Sequence, residues 1–147
     1  MPKRAKPEAS KIIWPEVEVD HWSGEFAERP SGSIGQHIQP GPPPTPVEFT
    51  YLIVGAVISS PRTKMRWPAV VSFWVRTPFT PHRVEAGFMF KSENKPTFNL
   101  GLEVTRQQFT EMVWFFREKL LSNFHFTVGQ GRDNHWPITS WGASFEL

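Results

Sequence analysis

Residues 98–121 read FNLGLEVTRQQFTEMVWFFREKLL, and within this stretch the hydrophobic period changes from two to between three and four. Phe98, Leu100, Leu102 and Val104 alternate with Asn99, Gly101 and Glu103, the pattern of a strand with one buried face. Past Thr105 the apolar residues Phe109, Met112, Val113, Phe116 and Leu120 recur at helical spacing and draw one apolar stripe. Thr105 offers a hydroxyl to the backbone N–H of Gln108, Gln108 can return a bond to the Thr105 backbone, and Val104 can pack on Phe109. These signals predict a helix over 106–122, with Asn123 as its stop. Trp114, Phe115 and Leu121 widen the stripe, so the helix is expected under a sheet or against a second subunit.

Working outward, residues 84–91 alternate Val84, Ala86, Phe88 and Phe90, expected inward, with Glu85, Gly87, Met89 and Lys91, expected outward. Residues 67–77 set Val71, Phe73 and Val75 against Ser72, Trp74 and Arg76. Residues 47–58 are apolar on both faces and read as the central strand, with Gly55 marking a bend. After the helix, residues 124–128 alternate again, and 138–147 would close the fold with Trp141, Ala143, Phe145 and Leu147 inward. The fold expected is α+β: a curved antiparallel β-sheet, a meander of about five to seven strands, packed on one amphipathic α-helix.

The N-terminal third reads differently. Residues 1–11 are basic and aperiodic, as in a disordered arm. Val17 and Val19 alternate with Glu16, Glu18 and Asp20 as in a short strand, which Pro15 confines to an edge or a strand start. Residues 23–46 are rich in Gly, Pro and Ser, end in GPPPTP over 41–46, and read as a long loop. The organisation expected is a basic arm (1–11), a short strand with a Pro/Gly-rich loop (12–46) and an α+β core domain (47–147).

A chain of 147 residues suits one domain, with 7 Trp and 13 Phe to build an aromatic core. The absence of cysteine excludes disulfides, thiolate metal sites and a Cys nucleophile. With no apolar run long enough for a signal peptide or a membrane span, the expectation is a soluble cytoplasmic protein without membrane contact. Net charge is +2, but residues 12–59 carry −5 and 60–95 carry +5. Such blocks either neutralise each other within the fold or mark a charged partner.

Two residue groups carry candidate chemistry. Trp74, Arg76, Met89 and Lys91 share the outward face of the expected sheet, with Arg62, Lys64 and Arg66 in a basic turn at its rim. Aromatics among cations on a sheet suit single-stranded nucleic acid, whose bases stack while its phosphates pair with Lys and Arg. Glu85 and Glu103 oppose this, and the acidic segment with Trp14, Val17, Val19, Trp22 and Phe26 is expected to fold back over Trp74. The second group is Arg132, Asp133 and His135 in the 129–137 loop, residue types suited to acid/base work or to a polar hairpin turn. The five histidines lack metal-ligand spacing, and neither a metal nor a cofactor is expected.

The reading favoured is a non-enzymatic binding or adaptor protein. It would recognise another macromolecule, a protein partner or its own second copy in a homodimer, through an exposed sheet edge, the Pro-rich segment or an aromatic surface. The alternatives are a single-stranded nucleic-acid binder on the first residue group and a small enzyme on the second.

Overall fold

In the computed structural model, which describes residues 12–75 and 84–146, the alternating segments form strands β1 (His21–Phe26), β2 (Ser31–Gln39), β3 (Thr45–Ser59), β4 (Arg66–Val75), β5 (Gly87–Lys91), β6 (Phe98–Val104), β7 (Leu121–Val128) and β8 (Trp136–Phe145). Helix α1 (Arg106–Arg117) lies between β6 and β7. The basic arm 1–11, Arg76 and Leu147 lie outside the described residues.

The sheet runs β1-β7-β8-β5-β6-β4-β3, and β1 also pairs with β3, so seven strands close into a barrel while β2 adds to β3 outside the ring. This corrects the expected open sheet packed on a helix. The chain is not a meander either: β4 pairs with β6 in parallel, and β5 sits between β6 and β8. The stretch read as a loop supplies β2 and most of β1, whereas the residues around Val17 and Val19, read as a strand, precede β1 and are not in one.

The interior of a barrel this small is filled by side chains. Leu52, Val54, Ala56 and Ile58 of β3 meet Ala69, Val71 and Phe73 of β4, Phe98, Leu100 and Leu102 of β6, and Phe124, Phe126 and Val128 of β7, all buried. On β5 the face that enters is the one expected outside. Gly87 and Met89 are buried, while Phe88 and Phe90 stack on each other outside at 5.9 Å. The register pairs Met89 with Leu100 and Gly87 with Leu102, which fixes β5 to the inward set of β6. The larger Phe88 then finds its seat outside, its ring over Gly101, where an added Cβ would lie 2.7 Å from it.

Each mouth of the barrel is covered by aromatics. At the end where β4 and β6 begin, Trp14 packs on Trp67 and Phe98 at 5.8 and 5.1 Å, and Trp22 donates its indole N–H to the Glu18 carbonyl at 2.8 Å. The opposite mouth is covered by α1, which touches β4 and β7, strands not adjacent in the ring. Phe116 reaches Phe26 at 5.0 Å, and Phe115 stacks on Phe145 at 4.3 Å. A mouth accepts only one side of a helix. Met112 alone is buried, and Val113 and Trp114 of the expected stripe are 42% and 56% exposed.

The capping box forms as read: the Gln108 N–H donates to Thr105 Oγ1 and the Thr105 N–H to Gln108 Oε1, both at 3.0 Å. The stop comes earlier than Asn123. Lys119 adopts φ 57°, and the N–H groups of Lys119 and Leu120 donate to the carbonyls of Phe116 and Phe115 at 3.1 and 2.9 Å, a Schellman ending in which lysine occupies the position usually given to glycine.

Two substitutions test this account by urea denaturation. The left-handed backbone costs lysine roughly 1–2 kcal/mol and glycine loses about 0.5–1 kcal/mol in chain entropy, so Lys119→Gly is expected to stabilise by about 0.5–1 kcal/mol. Gly24→Ala sets a Cβ 2.2 Å from the Phe124 ring, which is held between Phe26 and Phe126. A loss of about 3 kcal/mol is expected, and a neutral result would show that β1 does not close the barrel as described.

Candidate functional site

Of the residues proposed as a nucleic-acid face, Arg76 lies outside the described residues, and Trp74, Met89 and Lys91 do not share one exposed face. Met89 is fully buried. Lys91 lies opposite Phe98 on β6, whereas Trp74 lies opposite Glu103, five positions or about 17 Å along the strand. The Lys91 ammonium is held over the rings of Trp14 and Trp136, 5.7 and 5.4 Å from their centroids. Arg62, Lys64 and Arg66 are exposed where β3 turns into β4, at the end of β4 away from Trp74. There the charge blocks meet: the Arg66 guanidinium pairs with Glu25 at 3.2 Å, and the Arg62 N–H donates to the Glu18 carboxylate at 3.3 Å. Trp74 is partly buried on the outer side of the barrel, and Trp14 and Trp22 of the N-terminal segment, expected to fold over it, lie instead in the opposite mouth.

The polar loop is a tight hairpin. Arg132 and His135 exchange backbone hydrogen bonds at 2.8 and 3.0 Å, and between them Asp133 and Asn134 have φ of 49° and 58°, as a two-residue turn that follows strand twist requires. The Arg132 and Asp133 side chains, a 3.6 Å ion pair, are 93% and 90% exposed. His135 stacks on Phe88 at 5.7 Å and pairs with Glu85 at 3.6 Å. Asn134 bonds both backbone groups of Lys91, at 2.9 and 3.1 Å. The three residues thus do not line one pocket. Although β7 and β8 pair, His125 lies over Gly142, away from His135. Among the described residues no three His, Asp or Glu groups are placed to hold a metal, and no helix is long and apolar enough to cross a membrane.

The feature that sequence reading missed is a ribbon. β4 accompanies β3 only from Tyr51 onward, whereas β2 pairs with β3 from Thr45 to Ile53. Residues 34–39 and 45–50 therefore rise beyond the barrel as a two-stranded arm about 20 Å long, on the side capped by α1. Its tip is the proline run 42–44. Over the helix the arm presents Ile34, Gln36, Glu48 and Thr50, which with Val75, Arg106, Phe109 and Thr110 line an open cleft of 980 Å³. The Arg106 guanidinium bridges the cleft to Glu48 at 2.5 Å. On the other face Phe49 stacks on Tyr51 at 6.2 Å and lies beside His37 at 6.5 Å.

Among the described residues β2 pairs with β3 alone, so its second edge is open. Open edges are ordinarily guarded by charged side chains, proline or a bulge. β2 reads SGSIGQHIQ with none of these, and its register is unbroken. Ile34 and Ile38 are 77% and 58% exposed. The signal available in sequence was the pair of extended segments either side of GPPPTP, with Ile34 and Ile38 on one strand face.

If the 129–137 loop is a turn and not a site, Asn134→Ala loses two hydrogen bonds and strains a left-handed residue. It is expected to cost about 1–2 kcal/mol in urea denaturation, while Arg132→Ala stays within about 0.5 kcal/mol. No protein-family model, curated protein or solved structure matches this chain.

Proposed function

We propose that this chain is a non-enzymatic binding protein that recognises another protein by taking a strand onto the β2 edge of its arm. The observation that carries this reading is the nine-residue edge without charge, proline or bulge, bearing two exposed isoleucines. An added strand would satisfy the free backbone groups of β2, and pockets between alternate side chains would supply selectivity. Burying an exposed isoleucine is worth about 1.5–3 kcal/mol, so Ile34 and Ile38 add a substantial apolar share. The arm has one formally charged residue, Glu48, already paired with Arg106. It therefore offers polyanions no electrostatic attraction, and a polypeptide strand is the ligand chemistry that fits.

A photo-crosslinking amino acid placed at Ile38 in cells is expected to give protein adducts, whereas the same group at exposed Thr139 on β8 gives none. The absence of adducts from Ile38 would overturn the reading.

A further inference from the structure

We infer that the strand received by the β2 edge is β2 of a second copy of this chain, paired antiparallel about a twofold axis through Gln36. This rests on the strand-addition reading and names its partner. A twofold axis perpendicular to the sheet keeps each strand face on its own side, so directly opposed residues share a face and the axis must pass through a residue. The sequence around Gln36 is Ile-Gly-Gln-His-Ile. With Gln36 at the centre, Ile34 of each copy lies opposite Ile38 of the other, and the two Gln36 amides meet between these pairs. No other centre sets the two exposed isoleucines against each other. Cross-strand apolar and amide pairs of this kind stabilise a sheet, and a strand with no charge meets its own copy without like-charge repulsion.

The same register accounts for a second exposed feature. It carries the proline tip of one arm to the start of the other copy's β2, near Ser31 and Pro30. Pro30 borders a cleft with Arg29, Leu52, Val113, Phe116, Arg117 and Lys119, and Val113 is 42% exposed. The proline tip would meet the apolar Leu52, Val113 and Phe116 of that cleft, and its lack of acidic groups leaves Arg29, Arg117 and Lys119 at the rim.

A chain without cysteine makes single-cysteine crosslinking a direct test. In this register Gln36→Cys sits beside its own copy, about 4.5–5.5 Å away between Cα atoms, within disulfide reach. Ser33→Cys is six positions, about 20 Å, from its copy. The expected results are a dimer by analytical ultracentrifugation and oxidative crosslinking of Gln36→Cys at least about tenfold faster than of Ser33→Cys. Gln36→Lys, which sets two ammonium groups face to face only in the dimer, should raise the dissociation constant about tenfold or more. Its melting temperature as a monomer should hold, because residue 36 faces Glu48 across the ladder.

A protein that stays monomeric at high micromolar concentration overturns the inference. So does a dimer whose dissociation constant is unchanged in Gln36→Lys or one that crosslinks equally well from Ser33→Cys. If the Ile38 photo-crosslinker then yields adducts with other proteins only, the second-copy inference fails and strand addition stands. If it yields none, both fail.

Discussion

β1 hydrogen-bonds to β7 along one edge and to β3 along the other, and this double pairing removes the two edges that an open sheet of the same strands would expose. The closing strand is short and carries few bulky groups: His21, Ser23 and Glu25 face solvent, while Trp22 and Gly24 face in. Trp22 stacks on Phe126 at 5.9 Å and meets Phe98 at 6.2 Å, so one indole links inward rings from two sides of the ring. Gly24 yields its side-chain volume to Phe124. A large residue next to an absent one lets a strand pass through a crowded seam, and the filled interior follows from that closure.

Closure also fixes what the chain must do at the two mouths. A barrel with an apolar interior exposes its last layer of side chains at each end unless something covers it. One end uses the segment before β1, whose Trp14 lies against Trp67 and Phe98 with the Lys91 ammonium over its ring. The other uses α1. Because β3 enters the barrel from the helix side and is longer than its neighbours, its first half must leave the ring, and β2 is the strand that accompanies it. The arm is thus a consequence of unequal strand length around a closed sheet.

What could be read from sequence was the local part. The capping box of α1 and the alternation of β6 depend on residues within a few positions of one another, and both appear where they were expected. Closure depends on pairing His21–Phe26 with partners about a hundred residues away along the chain for β7, and no period in the sequence encodes that. Alternation alone points β5 the opposite way because Phe88 and Phe90 are larger and more apolar than Gly87 and Met89. The register with β6 and the seat above Gly101 outweighed side-chain size. The basic-aromatic face failed for the same reason, since it inherited that inversion through Met89. In sequence β2 reads as a loop because glycine and serine are poor strand formers. It is held instead by a ladder to β3, a long strand of strong formers, for which its own propensity is secondary.

The arm differs from the barrel in one respect that folding does not explain. Every strand in the ring has both edges paired, whereas β2 pairs on one side among the described residues. Ile34 and Ile38 pack into no core, so a lysine at either position would leave the barrel intact and guard the edge. Their apolar character contributes little to the isolated chain and leaves β2 a template for pairing. A complex in which the edge is occupied gives those two side chains something to contact, and the symmetric spacing of the isoleucines about Gln36 points to an occupant that carries the same spacing.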